Sequence, residues 1–301
     1  MDNIRIAKVC GLCAGCKHAI NTAKNELSQA KNVVIFKEIV HNENVNNMLK
    51  KLGAQTKNDI LELTSNDYVI LRAHGEPPET YEYLNSNQIS FSDCTCVNVQ
   101  NIHTKVLEAA NEGYQNIILG KHKSKLHPEV LGTNGWTNYS SILIEDENDI
   151  AQIQNSPAEK FYLTCQTTFN EKKADDLIFK ISNLISLQNK ELIVQKTICG
   201  AQKAINKSSV DLAKEVDIML VVGSSNSSNT VELFNNVKTF VKCVFIDKLN
   251  NWKTILKNNN IFISKDTKIG ITAGASAMRE DLEFLKNQIN NHLENSHEYQ
   301  H

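Results

Sequence analysis

Six short apolar runs punctuate this chain, at residues 33–36, 68–71, 117–119, 161–163, 218–222 and 268–272. Each is bounded by polar or glycine-rich residues, the pattern of a strand buried on both faces. Between them lie stretches with helical spacing of apolar residues, at 102–111, 173–187, 210–216 and 281–293. A further strand is predicted at 4–9. Short buried strands alternating with helices predict an α/β fold with parallel sheets. Ligands of such sheets sit at the carboxyl ends of strands, and the polar motifs of this chain fall there. Arg-Ala-His-Gly (72–75), His-Pro-Glu (127–129), Gln-Thr-Thr (166–168), Gly-Ser-Ser-Asn-Ser-Ser-Asn (223–229) and Ala-Gly-Ala-Ser (273–276) each come after one of these runs.

The chain has 301 residues, enough for two or three domains with real cores. A hydrophobic content of 41% and charged content of 22% suit a soluble globular protein. The formal net charge of −2 argues against nucleic-acid or membrane binding. No apolar run approaches the roughly 20 residues that span a bilayer, and the first residues lack a signal-peptide core. A cytoplasmic location is expected, where thiols stay reduced. Eight cysteines in such a chain point to metal or catalysis before disulfides.

Three of those cysteines lie far apart, each in a motif of small residues. They are Cys13 in Gly-Leu-Cys-Ala-Gly, Cys96 in Asp-Cys-Thr-Cys and Cys199 in Thr-Ile-Cys-Gly-Ala. One thiolate per domain would hold an iron–sulfur cluster by three corners and leave the fourth iron open to substrate. The rhythm of cysteine and strand-end motif predicts three similar α/β units in a pseudo-threefold, trefoil-like arrangement around a central cluster. The expected units are 1–97, 98–196 and 197–285, with strand 4–9 able to pair with the third, and a polar tail at 286–301. Cys10, Cys13 and Cys16 also form a C-x2-C-x2-C run, which allows a ferredoxin-type segment lacking its fourth cysteine, a zinc site, or packing roles for Cys10 and Cys16. Cys94 and Cys165 read as bystanders and Cys243 as a core strand residue.

His41, His74 and His127 each end an apolar stretch beside a turn residue, and imidazoles there donate to phosphate oxygens. His18, His103 and His122 read as surface or core residues. Ser227, Ser228, Asn229 and Ser276 would add hydroxyl and amide donors at loop-to-helix junctions, a natural anion cradle. A flexible linker at 223–229 is the alternative, but an apolar strand and a helix flank it closely. With no Walker motif, these donors fit a diphosphate held without magnesium. Glu129 follows Pro128, which stiffens its loop; it reads as a proton donor, the plainer alternative being a surface helix start. Thr167 and Thr168 would pass a proton or bind a substrate hydroxyl.

Taken in order, Cys-Ala-Gly, Val-His-Asn, Ala-His-Gly, Thr-Cys, His-Pro-Glu-Val, Gln-Thr-Thr, Thr-Ile-Cys, Gly-Ser-x-Asn-Ser-Ser-Asn and Thr-Ala-Gly-Ala-Ser resemble the 4-hydroxy-3-methylbut-2-enyl diphosphate reductase family, across residues 11–276. The resemblance implies one [4Fe–4S] cluster on Cys13, Cys96 and Cys199. It implies reductive dehydroxylation of an allylic diphosphate at the open iron, giving isopentenyl and dimethylallyl diphosphates of the methylerythritol phosphate route. Glu129 would deliver protons and Thr167 would hold the hydroxyl side. His41, His74, His127, Ser227, Ser228, Asn229 and Ser276 would grip the diphosphate. Electrons would come from ferredoxin or flavodoxin, since nothing reads as a flavin or nicotinamide site.

The chain departs from the family pattern at Cys16, His18, Val97, Gln202, Ile205, Asn206 and Met278, and has about three extra residues between Gly120 and His127. These changes flank the expected ligands and would tune the site. A paralogous iron–sulfur reductase for another allylic diphosphate or related alcohol is the alternative reading. A sensor or binding protein with a zinc ion or a fully ligated cluster is the third.

Overall fold

A computed structural model describes residues 3–29, 31–40, 42–224, 227–275 and 277–295, apart from the side chains of Ser228 and Asn295. Strand β1 (Ile4–Ile6) leads into α1 (Ala14–Ser28). A first sheet follows from β2 (Val33–Phe36), β3 (Gln55–Lys57), β4 (Tyr68–Leu71) and β5 (Ser90–Asp93), with α2 (Glu43–Lys51) and α3 (Pro78–Ser86) in its crossovers. Helix α4 (Val97–Asn111) leads to a second sheet of β6 (Gln115–Leu119), β7 (Ile142–Ile144), β8 (Lys160–Cys165) and β9 (Glu191–Gln195), accompanied by α5 (Pro128–Gly135), α6 (Ala151–Gln154) and α7 (Glu171–Leu187). Helix α8 (Gly200–Ala213) opens the last segment. There β10 (Ile218–Val222), β11 (Lys242–Ile246) and β12 (Ile269–Ala273) alternate with α9 (Ser228–Val237) and α10 (Trp252–Asn258), before α11 (Arg279–Asn295).

Every strand pairing is parallel. The sheet orders are β3-β2-β4-β5, β7-β6-β8-β9 and β1-β12-β10-β11. Read from the other edge, the third is β11-β10-β12-β1. All three therefore wind identically, the second strand outside the first and the third on its other side. The N-terminal strand fills the fourth place of the last sheet. This shared order sets a switch point between the first and third strands of each sheet, where loops diverge and a crevice opens. The chain divides into two compact bodies. One, His18–Ile39 with Met48–Cys199, holds the first two sheets. The other, formed by the chain up to Lys17, Val40–Asn47 and the chain from Gly200 onward, holds the third.

The apolar runs are the inner strands. In β10, Ile218, Leu220 and Val222 pack with Trp252, Leu256, Leu282 and Leu285. Met219 and Val221, on the opposite face, pack with Leu212 and Leu233. Leu220 is fully buried, so Leu220→Ala would cost about 2–5 kcal/mol. The strands that periodicity missed are chiefly edges: β3 is polar, β9 carries Leu-Ile-Val at its centre, and both are largely exposed, as edge strands usually are. Two boundaries also differ from the sequence expectation. Strand β1 stops at Ile6, because the chain turns at Lys8–Val9 and Val9 N–H donates to Ser208 Oγ instead of the ladder (2.9 Å). Helix α8 begins ten residues before the apolar stretch that signalled it, those ten residues being mostly polar. Among the described residues, no helix is long and apolar enough to cross a membrane.

Candidate active site

In the body that holds the first two sheets, polar side chains collect at the strand ends. Glu129 lies in the first turn of α5, behind Pro128, and is buried to 2% exposure. Its carboxylate accepts from the Thr167 N–H (2.5 Å) and the Thr167 hydroxyl (2.7 Å). Burial pushes the Glu129 carboxyl up to about 7, against the pull of those two bonds. The expectation of an exposed helix start is thereby excluded. Thr167 continues the string, since its carbonyl accepts from the Cys199 N–H (2.8 Å). Asn98 of α4, two residues past Cys96, donates its amide to Cys199 Sγ (3.4 Å). Thr168 Oγ1 accepts from Gln166 Nε2 (2.7 Å), and Gln166 Oε1 accepts from the Lys121 N–H (3.0 Å).

His127 caps α5, its Nδ1 accepting from the Glu129 N–H (3.2 Å). An accepting Nδ1 puts the ring proton of the neutral imidazole on Nε2. His74 meets this ring edge-on, centroids 5.5 Å apart. The His74 loop is held hard. Gly75 takes a φ of +77°, and a side chain there would also meet His103 Cε1 at 2.5 Å. His103 itself is a core residue stacked on Trp136 and pushed down to about 4 by burial. Glu76 is fully buried between Arg72 Nε (2.7 Å) and Lys37 Nζ (2.8 Å). Trp136 Nε1 donates to the Glu76 carbonyl (3.2 Å), tying the segment after α5 to the same loop.

The longer loop before His127 is ordered by charge. The Glu145 carboxylate accepts from the N–H groups of His122 (2.7 Å) and Lys123 (2.8 Å). Lys123 pairs with Asp146 and Asp149.

In the other body, the 7–13 loop runs along the end of β12. Gly11 N–H donates to Ala273 O, Leu12 N–H to Ala277 O and Cys13 N–H to Ala275 O. Ser227 caps α9, its Oγ accepting from Thr230 N–H (3.4 Å). The loop after β12 presses against that first turn: a Cβ on Gly274 would lie 2.5 Å from Thr230 Oγ1. Asn229 stands in the same turn, its carbonyl accepting from Gln202 Nε2 (3.4 Å). Asn229 Oδ1, Thr230 Oγ1 and Gln202 Oε1 are buried with no hydrogen-bond partner among the described residues. Three such atoms at two helix starts mark a place that a polar ligand or water completes. His41 and Ser276 lie outside the described residues, as does the Ser228 side chain. Their neighbours are fixed: Asn42 Oδ1 accepts from Val45 N–H (3.1 Å), and Asn44 Nδ2 donates to Asp281 Oδ1 (3.3 Å).

The eight cysteines separate by place and chemistry. Cys13, Cys96 and Cys199 each stand immediately before the first residue of a helix, α1, α4 and α8. Each also follows the fourth strand of its sheet, β1, β5 and β9. All three are partly exposed. A helix start favours the thiolate that binds metal. Cys13 is lowered to about 6, first by the Cys16 thiol and then by the N–H groups of Cys16, Gly15 and its own residue, over the opposing effect of burial. Burial instead raises Cys94, Cys165 and Cys243 to about 11, and raises Cys10. Among the described residues no three His, Cys, Asp or Glu side chains are gathered as a metal-holding group, neither the Cys10, Cys13 and Cys16 run nor the separated Cys13, Cys96 and Cys199. Asn98 carried no signal in the sequence, because its contact with Cys199 depends on helix register, whereas Gln202 stood out there only as a departure from the family pattern.

Comparison with known proteins agrees over nearly the whole chain. The profile of the LytB protein family matches residues 4–290. The 4-hydroxy-3-methylbut-2-enyl diphosphate reductase of Clostridioides difficile is 33% identical, over 95% of this chain and 99% of its own. A solved (E)-4-hydroxy-3-methyl-but-2-enyl diphosphate reductase, described as the terminal enzyme of the non-mevalonate pathway, superposes with a TM-score of 0.71 at 31% identity, covering 97% of this chain and all of the other. The E-1-hydroxy-2-methyl-but-2-enyl-4-diphosphate reductase of Plasmodium falciparum gives 0.82 at 26% identity, covering 96% and 87%. The chain is a member of the LytB protein family.

Proposed function

We propose that this protein is an iron–sulfur oxidoreductase, a 4-hydroxy-3-methylbut-2-enyl diphosphate reductase that removes the allylic hydroxyl as water and yields isopentenyl and dimethylallyl diphosphates. Cys13, Cys96 and Cys199 would hold a [4Fe–4S] cluster, which when bound supplies electrons and an open iron site. The observation that carries the reading is the buried Glu129, held by two bonds from Thr167, whose carboxyl burial pushes up to about 7. General acids work best when they titrate near the working pH.

The chain's own groups supply the rest. Glu129 holds the proton that the leaving oxygen needs, and Thr167 keeps that carboxyl pointed through two bonds from one residue. His127, with its proton on Nε2, and His74 beside it offer donors for phosphate oxygens. Ser227, Ser228 and Asn229 offer the start of α9, with its N–H groups and positive dipole end. His41, Ser276 and Thr168 complete the set. Anchoring the diphosphate fixes the hydroxyl end of a short substrate, which is where positioning lowers the barrier. Ferredoxin or flavodoxin would deliver the electrons, and the protein would work in the cytoplasm.

The test is anaerobic oxidation of reduced viologen by protein whose iron and sulfide content has been measured. Addition of 4-hydroxy-3-methylbut-2-enyl diphosphate should start the oxidation. An intact cluster with no substrate-dependent oxidation would refute the assignment.

A further inference from the structure

We propose that Cys13 and Cys16 form a redox-active dithiol that closes to a disulfide whenever Cys13 carries no iron. The two residues are a C-x-x-C at the first turn of a 15-residue helix, reached from a β-strand through a loop. That placement is the arrangement in which C-x-x-C pairs do thiol–disulfide chemistry. Cys13 immediately precedes α1, and Cys16 stands in its first turn, three residues on. The Cys16 thiol hydrogen-bonds to the Cys13 sulfur, and the N–H groups of Gly15 and Cys16 point at it as well. Both thiols are partly exposed and so within reach of a small oxidant.

The third cysteine of the run is engaged elsewhere. Cys10 Sγ donates to Ala7 O (3.2 Å) and accepts from Arg279 Nη1 (3.4 Å). Side chains three apart on a helix have Cβ atoms about 5–6 Å from each other, whereas a disulfide needs about 3.5–4.5 Å. The first turn must therefore tighten by about 1–2 Å. Helix starts tolerate this, because their leading N–H groups have no intrahelical partner. Lys17 N–H to Cys13 O is the first such bond of α1 (2.9 Å). Ala14 and Gly15 between the cysteines add little side-chain bulk.

The oxidant is a low-molecular-weight disulfide such as oxidised glutathione. The Cys13 thiolate attacks one glutathione sulfur, forming a mixed disulfide and releasing one glutathione thiolate. The Cys16 thiolate then attacks the Cys13 sulfur and expels the second. In sum two cysteine thiols are oxidised, one glutathione disulfide is reduced to two thiols, and both cysteine protons leave with the glutathione. Cys16 is thus a resolving thiol, and a thiol reductant reverses the reaction. The dithiol stands on the geometry alone; its consequence for cluster loading rests on Cys13 as a cluster ligand.

The experiment uses full-length protein stripped of iron by a chelator. It is equilibrated in glutathione buffers from reducing to oxidising, alkylated, and mapped by tandem mass spectrometry of the peptide 9–17, which contains all three cysteines. In oxidising buffer Cys13 and Cys16 should escape alkylation while Cys10 is still modified. Cys16→Val should instead leave Cys13 carrying glutathione, and Cys10→Ser should leave the disulfide unchanged. Oxidised wild-type protein should take up no cluster from iron and sulfide until dithiothreitol is added. Alkylation of all three cysteines across the range, or a disulfide to Cys10, would overturn the proposal. Neither readout involves turnover, so its failure is separable from failure of the reductase assignment.

Discussion

Replacing Glu129 by glutamine removes one proton and almost nothing else. The carboxylate accepts two bonds from Thr167, one from an N–H that can only donate and one from a hydroxyl that can turn. A glutamine can point its oxygen at the N–H and its NH2 at the hydroxyl, so fold and cluster should survive. Catalysis should not. A positioned general acid contributes about 10²–10⁴-fold, and kcat/KM should fall by about that factor. The pH profiles carry a sharper expectation. The working form is the protonated one, so wild-type kcat/KM should decline about tenfold per pH unit above about 7. The residual activity of Glu129→Gln should lack that limb.

Stability gives an independent check. Holding a carboxyl at about 7 instead of its ordinary 4.5 means that its ionisation costs the folded protein on the order of 3 kcal/mol. The folded state binds the proton more tightly than the unfolded chain does. Its contribution is therefore fully present below pH 4.5 and is lost as pH rises through about 7. Glutamine never ionises, so the stability of Glu129→Gln relative to wild type should rise from pH 5 to pH 8 by on the order of 3 kcal/mol. Anaerobic urea titration at the two pH values measures this. Normal turnover in the variant, or the same basic limb in both profiles, would refute the role given to Glu129.

Four other changes probe the remaining groups. Cys13→Ser, Cys96→Ser and Cys199→Ser should each lose cluster iron and its visible absorbance, whereas Cys243→Ser, on a thiol raised to about 11, should keep both; equal loss in all four would undo the ligand assignment. Thr167→Val removes one of the two bonds on Glu129 and should lower kcat while Thr167→Ser largely restores it, measured by viologen oxidation. Gly75→Ala forces a side chain onto a φ of +77° and against His103, and should cost about 1–3 kcal/mol in chemical denaturation while raising KM through His74. Glu76→Leu leaves Arg72 and Lys37 without their shared partner and should destabilise by about 3–5 kcal/mol, since one half of a buried ion pair is left behind.

The sequence made the inner strands legible because burial on both faces requires an unbroken apolar run. Residues 33–36, 68–71 and 218–222 were located to the residue. The edge strand β3 escaped because it carries no such run, whereas β9 does carry one, residues 192–194, and lies largely exposed at its sheet edge all the same. Motif position was equally legible: His74, His127, Thr167 and Ser227 all lie just past strand ends, where parallel sheets place polar chemistry. What sequence could not supply was register across elements. Nothing at Asn98 announces that its amide meets Cys199, and nothing at Gln202 announces its bond to the Asn229 carbonyl. Likewise Glu76 looks like an ordinary loop acid until its burial between Arg72 and Lys37 is seen.

The shared strand order explains why so divergent a chain can carry so regular a set of cysteines. In each sheet the fourth-place strand delivers its cysteine to the position just before a long helix. That placement is a property of the topology, and it is supplied three times. The loops that follow the third-place strands, β4, β8 and β12, have by contrast diverged into His74, Thr167 and Ser276. On the proposed function, repetition would provide ligands of one kind, and divergence at equivalent positions would provide unlike side chains: an imidazole, a hydroxyl and a small polar residue. The N-terminal strand shows how strictly the pattern is kept. Among the described residues the last segment has no fourth strand of its own, and β1 supplies both that strand and, through Cys13, the cysteine that follows it. A circular permutant that moves residues 1–28 behind α11 on a flexible linker should therefore keep the β1–β12 pairing and the cluster. Deletion of β1 alone should lose iron even though every cysteine remains, because the loop that places Cys13 is stitched to β12 through the register that β1 sets. Full cluster content in that deletion would show that the cysteine finds its place without the strand, and the topological account would fail.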